Sequence, residues 1–215
     1  MGEVGMLSFQ NAKSAEPHTQ ERMNFNVEED LPLTSGGVIK YKDLLGADVR
    51  GLQGKTVLDA GSGCGAFVDD CNNKGVDVIG MDPHYMNIPL RKEKGKEIPK
   101  STKNKMAGVC ETLPFKDKVF DLVLSCYASF YYLLNNYEDD VKVRRIAAKL
   151  MFEEAFRVLK VGGQARIGEE CCETEEDILF FKEVLTDISK TNPALDWSFS
   201  NSEMIPDVLI LRRLK

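Results

Sequence analysis

Histidine and tryptophan are almost absent from this sequence: its 215 residues include two histidines, His18 and His84, and one tryptophan, Trp197. The six cysteines do little to make up a metal set, because Cys64, Cys71, Cys110 and Cys126 are scattered and Cys171-Cys172 is a vicinal pair, not the spaced pair that zinc sites use. No metal is expected. No compact cysteine spacing suggests a disulfide framework, and no run resembles a signal h-region or a spanning helix, so thiols in a reducing, cytoplasmic compartment and no membrane span are expected. The formal net charge of -6 argues against broad, nonspecific affinity for DNA or acidic membrane and favours small-molecule chemistry.

What is present is concentrated in Thr56-Val57-Leu58-Asp59-Ala60-Gly61-Ser62-Gly63-Cys64-Gly65-Ala66-Phe67. The apolar run around Val57 and Leu58 predicts a buried strand, and three glycines at alternate positions predict a turn too tight for side chains. Ala66, Phe67 and Val68 read as the entry to a helix, so backbone N–H groups of the loop and a helix N-terminus are expected to face a ligand. Asp59 stands at the strand's carboxyl end, where a carboxylate can attract the ammonium of an amino-acid-like ligand. The spacing Gly61-x-Gly63-x-x-Ala66 also satisfies the dinucleotide fingerprint, which leaves a nicotinamide-dependent oxidoreductase open at this point.

Residues 76–82 predict a second strand ending in Asp82-Pro83, about 20 residues past the glycine loop, the position of an acid that accepts hydrogen bonds from ribose hydroxyls. Further strands are predicted over 106–110, 120–125, 164–168, 197–199 and 208–211. Helices are predicted over 38–45, over 67–74 with Gly75 as the stop, and over 140–159 closed by Gly162-Gly163. In the last of these, Val143, Ile146, Ala147, Leu150, Met151, Ala155 and Val158 form the expected buried face. Thr174 is the expected cap of a final helix that ends at Asn192-Pro193.

The pattern Leu58-Asp59-x-Gly61-x-Gly63-x-Gly65 closely resembles motif I of class I S-adenosylmethionine (SAM) methyltransferases. Many small-molecule members continue with G-D-A-E-x-L-P-F and F-D-x-V, matched here by Gly108, Glu111, Leu113, Pro114, Phe115, Phe120 and Asp121. Val109 departs from the pattern: the family's aspartate there commonly meets the adenine amino group, which leaves the Cys110 backbone N–H and the Glu111 carboxylate as candidate adenine contacts. The run from Phe156 to Gly163 resembles the architectural R-V-L-K-P-G-G motif, with Val161 in place of proline.

This resemblance, over about 50–215, implies a seven-stranded Rossmann-like α/β sandwich, with a mostly parallel sheet and a C-terminal antiparallel hairpin. It is strongest to the ubiquinone-biosynthesis branch. Residues 1–30, polar and without apolar periodicity, are expected to form a mobile arm ahead of a methyltransferase domain over 31–215. The resemblance implies SAM as cofactor and a cofactor site built from Asp59, Gly61, Ser62, Gly63, Cys64, Gly65, Asp82, Pro83, Cys110, Glu111 and Ser125. The implied reaction aligns an acceptor with an already activated methyl group, so no covalent nucleophile is needed, and His84, Tyr127 and Tyr131 are weak candidates for a base. A small-molecule acceptor is expected. A nucleic-acid or protein acceptor remains open, although the lysine-rich stretch 91–105 reads more often as a solvated face, and the Asp/Asn-Pro-Pro-Tyr and Pro-Cys patterns of DNA enzymes are missing. The alternative is a noncatalytic SAM-binding or interaction protein that retains the fold.

Overall fold

The computed structural model describes residues 37–83, 85, 92–93, 96–97, 104–128, 132–133, 140–168, 175–202 and 205–215, all within the unit Pro32–Lys215. The arm expected over 1–30 lies outside them, as do His84, Arg91, Lys94, Lys100, Lys103, Tyr131, Cys171, Cys172 and Thr174.

Strands β1 (Thr56–Ala60), β2 (Asp77–Met81), β5 (Lys105–Met106), β6 (Phe120–Cys126), β7 (Leu159–Gly168), β8 (Leu195–Ser202) and β9 (Ile205–Arg213) form one seven-stranded sheet. A two-residue ribbon, β3 (Lys92–Glu93) with β4 (Lys96–Glu97), stands apart. The sheet order is β5-β2-β1-β6-β7-β9-β8, parallel through β7 and antiparallel at β7–β9 and β9–β8. From β1 the chain departs first to one side and later to the other, which places the topological switch point between β1 and β6.

Two apolar layers explain how the sequence covers both faces. Leu58, Ala60 and Val123 face helices α3 (Val141–Val158) and α4 (Glu175–Thr191), whereas Val57, Leu122 and Leu124 face α1 (Val38–Leu45) and α2 (Ala66–Asn72). The alternation is the period-2 pattern of a strand buried on both sides. At the amino end, Asp121 accepts the Thr56 amide at 2.8 Å and the Lys160 ammonium at 2.7 Å, so one carboxylate ties the start of β1 to β6 and β7. Burial works against its ionised form, but those two bonds prevail and lower its pKa.

Three expectations need correction. Residues 106–110 are not a strand throughout: β5 ends at Met106, and Val109 bridges Thr112 in a tight turn. Gly108 sits so close to Met81 that a Cβ would lie 2.7 Å from its Sδ. The long helix ends at Val158, before the glycines. Gly162 (φ 80°) and Gly163 instead shape an irregularity in β7, where a Cβ on Gly163 would lie 2.9–3.2 Å from three carbonyl oxygens. On α3 the buried stripe is Ala147, Ala148, Met151, Phe152, Ala155, Phe156 and Val158, while the expected Ile146 and Leu150 face out. Two aromatic rings of that stripe lie outside the expected set: Phe152 meets Phe181 of α4 edge-on, and Phe156 lies under the guanidinium of Arg213 on β9.

Candidate functional site

The carboxyl ends of β1, β2 and β6 bring together most of the residues expected from sequence. After β1 the chain turns at Gly61, Gly63 and Gly65, with φ of 77°, 56° and 77°, a region L-residues rarely adopt. A Cβ on Gly61 would overlap that of Ala128, and one on Gly65 would overlap the Lys105 side chain and lie 2.6 Å from the Tyr85 hydroxyl. Gly61 and Gly65 are therefore bare because neighbouring protein fills the space where their side chains would be.

Much of the loop's hydrogen bonding is internal. The amides of Gly61 and Ser62 donate to the Met81 carbonyl at 2.8 and 3.1 Å, and Gly65 donates to Ser62 at 2.9 Å. The Gly63 amide donates to Asp82 Oδ2 at 2.9 Å. Asp82 is thus a brace for the glycine loop as well as a candidate ribose acceptor. Pro83 follows it in a short turn closed by the Tyr85 amide on the Asp82 carbonyl.

Asp59 is fully buried beside this loop. The Tyr41 hydroxyl of α1 donates to its Oδ1 at 2.7 Å, and its Oδ2 has no partner. Burial raises the Asp59 pKa, the Tyr41 bond opposes that rise and the Asp82 carboxylate adds to it, leaving the group at about 7. Glu111, in the turn after β5, is also largely withdrawn from solvent, which raises its pKa against the pull of its own backbone N–H, and its Oε1 has no partner. Ser125 is buried at the end of β6, and the Cys110 side chain is partly exposed.

Sequence reasoning missed three side chains. Tyr41 lies in the helix predicted over 38–45, where no single side chain stood out in the sequence. Tyr85 pairs its hydroxyl with Ser62 Oγ at 2.8 Å. Lys105, almost wholly buried, reaches Asp69 at 2.7 Å and the Cys64 carbonyl at 3.3 Å, clasping the glycine loop against α2. Arg157 belongs to the expected architectural motif, but its reach is wider: it binds Glu154, the carbonyls of Leu113 and Phe115, and Asp117, while Glu154 accepts the Leu113 amide at 2.7 Å. The conspicuous Leu113-Pro114-Phe115 turn is thus held by α3.

The methyltransferase domain family matches residues 58–167, just over half of the chain. The chain belongs to that family. Its fold is that of class I SAM-dependent methyltransferases, which use SAM as methyl donor. It is similar to an SAM-dependent methyltransferase, TehB-like, of Corynebacterium glutamicum, with a TM-score of 0.51 and 19% identity over 74% of this chain and 80% of that one. A structure from Methanococcus maripaludis, also assigned as an SAM-dependent methyltransferase, aligns with a TM-score of 0.50 and 20% identity over 75% and 78% of the two chains. A ubiquinone/menaquinone biosynthesis C-methyltransferase of Xylella fastidiosa is 40% identical over 91 residues, 42% of this chain. This chain spans 30% of the length of that curated relative. The matched interval of the methyltransferase domain runs from β1 to β7 and contains Asp59, the glycine loop, Asp82, Glu111 and Ser125. Among the described residues, no helix is long and apolar enough to cross a membrane.

Proposed function

We propose that this protein transfers the methyl group of SAM to a small-molecule acceptor, with the cofactor held by Asp59, Gly61, Ser62, Gly63, Cys64, Gly65, Asp82, Pro83, Cys110, Glu111 and Ser125. The observation that carries this reading is a pair of orphaned acceptors. Among the buried side-chain atoms of the described residues, the two oxygens without a partner are Asp59 Oδ2 and Glu111 Oε1. Buried acceptors are ordinarily bonded, and an empty one costs about 1–3 kcal/mol. A ligand with an ammonium at one end and an adenine amino group at the other offers a donor to each.

SAM supplies a methyl group already activated on a sulfonium. The chain's part is to bind and orient. Asp59 accepts the amino-acid end, Asp82 accepts the ribose hydroxyls while bracing Gly63, and Glu111 takes over at the adenine edge from the acid that Val109 replaces. Tyr127, just past β6, has a φ of 55° with Lys40 Nζ 3.8 Å from its ring centre. A non-glycine residue held in that region is a feature of ligand-facing loops, which supports an acceptor subsite at this end of β6. The likeness to a ubiquinone/menaquinone biosynthesis C-methyltransferase and the net negative charge support a small, apolar or planar acceptor over a polyanion.

Calorimetry with SAM, S-adenosylhomocysteine and NAD tests the cofactor. Binding to NAD alone would overturn the reading. Methyl uptake from labelled SAM into a metabolite extract is expected, and tight RNA binding that weakens steeply with salt would move the acceptor to nucleic acid.

A further inference from the structure

We propose that Tyr41 is a positioning residue for the amino-acid end of the cofactor: its hydroxyl engages one oxygen of Asp59 and leaves the other for the ammonium group. This inference rests on the SAM-binding reading of Asp59. The Tyr41 ring lies flat against Phe67 of α2, centroids 3.9 Å apart and planes 4° from parallel, so two elements fix the direction of its hydroxyl. Packing alone would be served by phenylalanine. The hydroxyl is buried with its ring, and a buried hydroxyl needs a partner, which here is Asp59.

Among the described residues, the titratable groups that act on the pair bring no positive charge to it. From α1 Asp59 meets Tyr41, and from the end of β2 it feels Asp82. Its own charge acts on Tyr85 and on Cys71 of α2, while Cys126 of β6 and Tyr85 act on Tyr41. Each of these groups is neutral or anionic. A second donor to Asp59 that also carries positive charge would stabilise the ionised carboxylate that burial opposes. Ammonium binding therefore favours release of the Asp59 proton to solvent, and the Tyr41 bond, which lowers the carboxyl's pKa, makes that release easier.

Calorimetry on the wild type and Tyr41→Phe, in two buffers of different ionisation heat between pH 6 and 8, tests this against SAM and a SAM analogue lacking the α-amino group. Phenylalanine keeps the stack on Phe67, and a ligand-free melt checks the fold. Wild-type affinity for SAM is expected to fall up to tenfold per pH unit below about 7, with protons released on binding, and to show neither behaviour with the analogue. Tyr41→Phe is expected to bind SAM roughly tenfold more weakly at pH 6.5 and to shift the midpoint upward, while binding the analogue as the wild type does. If Tyr41→Phe follows the wild type with SAM at every pH, this inference fails and the SAM reading stands. Proton release with the analogue equal to that with SAM would also overturn it, whatever the variant's stability. A wild type that binds no SAM overturns both.

Discussion

Asp59→Asn is expected to stabilise the ligand-free protein while removing most of its affinity for SAM. In the folded chain the carboxyl group titrates at about 7 in place of its ordinary 3.8, mainly because it is buried. The folded state therefore keeps a proton that the unfolded chain gives up. The corresponding stability is fully present below about pH 4 and is lost as the pH rises toward 7. At about 1.4 kcal/mol per unit, the loss by pH 8 has an upper bound of about 4 kcal/mol. Asparagine stays uncharged and can still accept from Tyr41 through its amide oxygen, but its NH2 group would take the place of the unpartnered Oδ2 at a cost of about 1–3 kcal/mol. The net gain at pH 8 is about 1–3 kcal/mol, or roughly 3–10 °C in melting temperature for a unit of this size. At pH 5 the wild-type carboxyl is also neutral, so the gain is expected to vanish or reverse. Thermal unfolding at pH 5 and 8, repeated with SAM at a hundredfold excess over its Kd, reads both effects; the wild type gains about 2.7 kcal/mol from the ligand and the variant much less. A variant less stable than wild type at pH 8, or one with the same difference at both pH values, would refute the reasoning.

Gly61→Ala is expected to lose SAM affinity, because its Cβ overlaps that of Ala128; Gly61→Ala/Ala128→Gly relieves the overlap and leaves a left-handed backbone penalty of roughly 1–2 kcal/mol. A double variant no better than the single one in binding and melting would show that the overlap is not the obstacle. Asp82→Ala is expected to raise the SAM Kd about tenfold to a hundredfold and, through the lost Gly63 bond, to cost about 1–3 kcal/mol without ligand. Asp82→Asn, which can still accept from Gly63, is expected to keep more of the ligand-free stability in urea unfolding; equal losses would remove the bracing role. Arg157→Lys is expected to cost about 1–3 kcal/mol in the same assay, since an ammonium cannot span Glu154, Asp117 and two carbonyls as the guanidinium does. An unchanged denaturation midpoint would argue that the Leu113–Phe115 turn is held without it.

The sequence by itself determined the strand–glycine turn–helix unit, the acid at the end of β2, the helical and strand periods and the order of elements, because each is written in residues close together along the chain. A glycine turn or a period-2 apolar run needs no distant partner to be recognised, and the match over 58–167 follows the same local signals. Side-chain partnership was decided only in three dimensions. Tyr41 and Asp59 are 18 residues apart and meet because α1 docks on the same face as α2. Asp121 reaches Thr56 across 65 residues and Arg157 reaches Leu113 across 44, contacts that no spacing rule encodes. The exposed Ile146 and Leu150 show the same limit: helical period identifies an apolar stripe, but which side of it is buried depends on where α4 and the sheet stand. The state of Asp59 belongs to this second class, since its raised pKa comes from the burial and charges that the fold assembles around it.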